Sequence, residues 1–155
     1  MKIYTIGFTQ KSAEQFFELI KANGIELLVD IRLNNKSQLA GFSKGSDLAY
    51  FLREICGAKY IHCDEFAPTK ELLSNYQKGV VSWAEYQKVF DEIMEKRGAY
   101  KKFLQRFQQF NKVCLLCSEA TPEHCHRRLV AEKIQSFSPQ NVEVTPRLKL
   151  MSDSP

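Results

Sequence analysis

At 155 residues the chain has room for one domain with its own hydrophobic core. Hydrophobic residues make up 44% and charged residues 26%, which excludes a disordered chain. A net charge of +4 does not demand nucleic acid or a membrane surface as partner, and no apolar run approaches the roughly 20 residues of a membrane helix.

The N-terminal stretch MKIYTIGFTQ is too polar for a secretory signal, so the expected location is cytoplasmic. The five cysteines are then expected to be reduced thiols, and their odd number argues against a full disulfide framework.

In chain order, residues 3–6 form a short apolar run before Gly7 and read as a buried strand. Ser12 opens a helix, with Gln15 completing a capping box, and Phe16, Phe17, Leu19 and Ile20 make its core face. Gly24 stops it. Residues 27–31 read as the second strand, followed by a polar loop over 32–45. Ser46 is expected to start a helix ending near Gly57, and residues 59–63 a third strand. A short helix is expected over 71–77. A second capping box, Ser82 with Glu85, opens a helix running to about residue 96. Gly98 breaks it, and a further helix follows over 100–110. Residues 113–117 read as a fourth strand, 125–137 as a helix, and 142–145 as the last strand.

Strands alternating with helices predict an α/β fold: a single-domain, mostly parallel sheet of about five strands, with helices on both faces. Residues 1–148 are expected to form that domain and 149–155 a flexible C-terminal tail.

Ligands of open parallel sheets sit beyond the carboxyl ends of the strands. Those ends deliver Thr5, Gly7 and Phe8; Asp30, Arg32 and the loop LNNKSQLAGF; His62 and Asp64; and Cys117, Ser118 and Glu119. Reactive and polar groups at all four ends favour a shared cleft.

The richest stretch is CLLCSEATPEHCHRR, residues 114–128. Cys114 and Cys117 are separated by two leucines in a strand, so they point to opposite faces about 10 Å apart. That spacing opposes both a zinc knuckle and a CxxC redox pair. Cys117 would end the strand, and Cys125 would sit where the next helix begins, a place that favours anions and thiolates. Arg127 and Arg128 add positive charge, and Glu119 is a candidate acid–base group. Buried packing thiols are the expectation for Cys56, Cys63 and Cys114. The mixed basic and aromatic stretch EKRGAYKKFLQRFQQFNK suggests nucleic acid, but Tyr100, Phe103, Phe107 and Phe110 fall at helical spacing and read as a core stripe. Neither GxGxxG nor a P-loop occurs.

The combination TIGFT, VDIRLNNKSQLAGF, DEFAPTKE and CLLCSEATPEHCHRRLVAE resembles the domain-of-unknown-function 488 family over residues 1–134. The resemblance implies a compact α/β domain with a cleft at these motifs, and supplies no reaction. Many members of that family carry histidine after TIG, where this chain has Phe8. The matching positions are Thr5, Gly7, Asp30, Arg32, His62, Cys117, Glu119, Cys125, His126 and Arg127.

These residues predict an enzyme acting on a small polar or anionic substrate, a nucleotide or modified base among the candidates. It would be a thiol-dependent hydrolase or transferase. Cys117, Glu119, His126 and Asp30 are the expected catalytic set. Thr5, Gly7, Arg32, Asn34, Ser37, Gln38, His62, Cys125 and Arg127 are the expected substrate-binding set. No cofactor is assigned. The alternatives are a non-catalytic nucleotide or nucleic-acid binding module, and a zinc-type metal site on Cys117, Cys125 and His126. No membrane partner is expected.

Overall fold

The computed structural model describes residues 1–36, 41–117 and 125–145. Five strands are present: β1 Lys2–Gly7, β2 Leu27–Asp30, β3 Lys59–His62, β4 Lys112–Cys117 and β5 Glu143–Thr145. They are linked by α1 Ala13–Ala22, α2 Gly45–Phe51, α3 Lys70–Gln77, α4 Trp83–Arg97, α5 Ala99–Phe107 and α6 His126–Phe137. A π-helical turn, Leu52–Cys56, prolongs α2, and a 3-10 turn, Asp64–Phe66, follows β3. The sequence had suggested only loop at the second of these.

All strand pairings are parallel, in the order β3-β2-β4-β1-β5. The expected α/β class is therefore observed, with a sheet that is wholly parallel among the described residues. The continuous apolar character of β2 and β4 explains their central positions. All four residues of β2 are buried, as a strand covered on both faces requires.

Side-chain alternation divides the core in two. Ile3, Val29, Val113 and Leu115 face α4, α5 and α6, whereas Ile6, Leu28, Cys114 and Leu116 face α1 and α2. Tyr100, Phe103 and Phe107 of α5 are buried in the first of these cores, each side chain contributing about 2–3 kcal/mol. The neighbouring Lys101 and Lys102 are exposed. The aromatic stripe is thus core, and the basic residues are its solvated face.

Both capping boxes form. In α1 the Ser12 hydroxyl accepts from the Gln15 N–H at 3.1 Å while Gln15 accepts from the Ser12 N–H. Ser82 and Glu85 do the same at the start of α4. Gly98 closes α4 at φ 61°, a left-handed conformation that glycine adopts without steric cost.

The connections position the site. The chain leaves β1 and β2 toward the face covered by α1 and α2, but leaves β4 toward the face covered by α6. Because β4 lies between β1 and β2, the connections diverge at its carboxyl end. Such a divergence opens a crevice, the usual ligand position in open α/β sheets.

Candidate functional site

Cys117 is the last residue of β4, paired in register with Gly7 of β1. Cys125 is the N-cap of α6, and His126 is its first residue. The ligating atoms of Cys117, Cys125 and His126 all lie within 4.8 Å of one another, and all three residues are buried.

His126 is held from two sides. Its Nε2 lies 2.8 Å from the Ile31 carbonyl oxygen, which can only accept, so Nε2 carries the proton. Nδ1 is then left as the acceptor of the neutral ring, 3.5 Å from the Cys117 sulfur. The Cys117 thiol therefore has a base oriented toward it by a backbone group.

The start of α6 is unusual for a helix built only for stability. Cys125 makes no side-chain capping bond, and the first turn contains no acid. Arg127 and Arg128 instead place positive charge at the positive end of the helix dipole, and Arg128 is offset by Glu132 one turn on at 3.7 Å. Burial raises the Cys125 pKa above the ordinary thiol range, and the adjacent Cys117 adds to this. His126 works in the opposite direction. Burial thus favours the protonated Cys125 thiol, which bonds to both Cys117 and His126.

The second strand end supplies a buried cation. Arg32 donates to Asp30 through Nε at 2.9 Å and Nη2 at 2.7 Å, and through its backbone N–H at 3.1 Å. Nη2 also reaches the Ser43 carbonyl at 2.7 Å. The Tyr60 hydroxyl donates to Asp30 and accepts from Asn35 at 3.1 Å. Burial opposes the Arg32 charge, but the bonds and charge of Asp30, with Tyr60, outweigh it and raise its pKa. Asp30 is fully buried and Arg32 is 3% exposed, yet Arg32 Nη1 has no hydrogen-bond partner among the described residues.

Arg32, Asn34, Cys117, Cys125 and His126 line one cleft of about 270 Å³. Tyr76 of α3 and Trp83 and Tyr86 of α4 add aromatic rings to the lining.

The remaining expected site residues are placed elsewhere. Thr5 is buried within β1 opposite Leu115. The ring of His62 bonds to the Arg32 carbonyl through Nε2 at 2.7 Å and does not line the cleft. Arg127 is 1% exposed and lies close enough to Cys114 for its charge to oppose the burial-driven rise in that thiol's pKa. Ser37, Gln38 and Glu119 lie outside the described residues, as does the expected tail over 149–155. Cys114 is fully buried on the opposite side of the sheet from the cleft.

Sequence reasoning missed Tyr60 and the aromatic lining, and it did not foresee that Asn35 bonds to Tyr60. Trp83, Tyr86 and Phe90 recur at i, i+3 and i+7, a spacing that places them on one helix face. Nothing in the sequence links Tyr60 to Asp30, 30 residues away.

Among the described residues no helix is long and apolar enough to cross a membrane. Residues 12–134 match the family model described as a domain of unknown function, DUF488. No match is found among curated proteins or among solved structures.

Proposed function

The chain belongs to the DUF488 family, a membership that assigns no reaction, and we propose that it is an enzyme using the Cys117 thiol on a small anionic substrate. The observation that carries this reading is the Cys117–His126 contact of 3.5 Å, with the imidazole oriented by the Ile31 carbonyl. A nucleophilic thiol needs a base within reach and a third group that fixes the base.

In the proposed step the Cys117 proton passes to His126 Nδ1. The sulfur then bonds to the electrophilic centre of the substrate, and the leaving group departs with its electron pair. His126 returns the proton to that group. Water then displaces the sulfur in a hydrolase, or a second substrate does so in a transferase, giving up a proton as the thiol is restored. Arg32 anchors the anionic part of the substrate through Nη1, and Asp30 positions Arg32 rather than touching substrate. Glu119 is proposed as a further acid–base group on sequence grounds alone.

The same three side chains support a second reading. Two thiols and an imidazole within 4.8 Å form a ligand set suited to zinc, with one position open for water or substrate. A histidine that gives its other N–H to a backbone carbonyl is the usual arrangement around such a metal.

Cysteine-resolved alkylation at pH 7, with and without a chelator, separates the two. The thiol reading expects Cys117 to react faster than Cys63, Cys114 and Cys125 regardless of chelator, and His126→Gln to slow it at least tenfold. A Cys117 that stays inert until the protein unfolds would sink the nucleophile. Protection lifted only by the chelator would establish the metal instead.

A further inference from the structure

We infer that the occupant of the cleft is a planar aromatic ring bearing an anionic group, of the size of a single nucleotide. The inference rests on the reading of this cleft as a substrate site, but not on the chemistry at Cys117.

Three aromatic rings, Tyr76, Trp83 and Tyr86, form part of the cleft lining. Trp83 and Tyr86 stack at 5.1 Å between centroids and 14° between planes, and Tyr76 leans on both at 5.5 and 5.1 Å. Phe90 continues the stack into the core and meets His126 at 5.6 Å. Core packing accounts for Phe90 and for most of Tyr86, which are buried. Tyr76 and Trp83 pack against the same core but are only partly buried, and the part left uncovered lines the cleft. Aromatic faces at a cleft wall favour a flat ring through offset or edge contacts.

The same cleft is also lined by polar groups. Arg32 lines the cleft with a fixed positive charge, and its Nη1 has no hydrogen-bond partner among the described residues, which suits phosphate or carboxylate. Asn34 and Gln77 supply amides that can both donate and accept, which suits the edge of a heteroaromatic ring. A volume of about 270 Å³ is at the small end for ligand sites, matching one ring with a short anionic arm rather than a polymer.

The chain contains one tryptophan, Trp83, so its fluorescence reports directly on the cleft. Three probes separate ring from charge: uridine monophosphate, uridine and inorganic phosphate. Saturable quenching by uridine monophosphate is expected at concentrations at least tenfold below either of the others. Tyr76→Ala, at a partly exposed position, is expected to weaken uridine monophosphate about tenfold and leave phosphate unchanged. Phosphate binding as tightly as uridine monophosphate would overturn the ring, as would equal weakening of both by Tyr76→Ala. The absence of binding by all three probes would overturn the proposal as a whole. A uridine trinucleotide binding far more tightly than the monomer would overturn it in favour of a nucleic-acid strand. None of these outcomes depends on the alkylation result, so failure here and failure of the thiol reading are told apart.

Discussion

Replacing Asp30 with asparagine removes one charge from a buried ion pair. Asp30 is 0% exposed and Arg32 3% exposed. The side chain of Arg32 loses a two-point contact made through Nε at 2.9 Å and Nη2 at 2.7 Å. The asparagine oxygen can replace one acceptor. Its NH₂ group must then face either Arg32 Nη2 and the Tyr60 hydroxyl, or the Arg32 backbone N–H and Nε, all of which donate to Asp30. An uncompensated buried guanidinium costs about 3–5 kcal/mol, and two charge-assisted hydrogen bonds at roughly 1.5–3 kcal/mol each reach the same range. Against a domain stability of roughly 5–15 kcal/mol this is a large fraction. Urea denaturation at pH 7 should show the loss, with a fall in melting temperature on the order of 10 °C. Raising salt from about 0.1 to 1 M should not change it, because screening acts on exposed charges. The exposed pair Arg53–Glu54, at 67% and 55% exposure, is the control, and Arg53→Ala should cost no more than about 0.5 kcal/mol. Replacing both partners together, Asp30→Leu with Arg32→Met, should recover part of the stability. A loss below about 1 kcal/mol for Asp30→Asn, or one abolished by salt, would refute the account of a desolvated pair.

Two further outcomes follow from the same region and its neighbours. A Cβ on Gly45 would collide with the Asn35 amide and lie 2.9 Å from the Tyr60 hydroxyl. Gly45→Ala should therefore cost about 1–3 kcal/mol and, by disturbing the support of Asp30, weaken anion binding at Arg32, as read by phosphate titration. Burial pushes the Cys63 thiol up from an ordinary value near 9 to about 11, with Arg106 opposing the rise. The unfolded thiol ionises first, so this contribution is complete below pH 9 and is lost as the pH rises to about 11. The loss amounts to roughly 2–3 kcal/mol. Cys63→Ala should flatten the stability profile over that interval, and an unchanged slope would show that Cys63 does not titrate there.

Much of the architecture was legible in the chain itself. Apolar runs bounded by glycine and polar loops marked the strands, and the Ser12–Gln15 and Ser82–Glu85 pairs marked two helix starts to the residue. These signals are local, because capping and side-chain periodicity act within a few residues. The same period-two rule separated Cys114 from Cys117, and the two are indeed found on opposite sides of the sheet. Boundaries were less exact. Helix α5 ends at Phe107 rather than 110, and α2 begins at Gly45 rather than 46. Helix ends depend on which backbone groups find partners outside the segment.

What each polar residue does was decided only by the tertiary structure. The order β3-β2-β4-β1-β5 brings the Ile31 carbonyl to His126 across 95 residues of chain, and that contact selects the tautomer which faces Cys117. Strand pairing likewise delivers Tyr60 to Asp30, and the fold back of α3 and α4 supplies the aromatic lining. His62 and His126 carry the same side chain, the first ending β3 and the second opening α6. One is spent on a backbone carbonyl outside the cleft, and the other keeps a ring nitrogen for a thiol within it. Composition and spacing encode which groups are available. Long-range packing determines which of them retain an unsatisfied valence facing a cavity, because that depends on partners distant in the sequence.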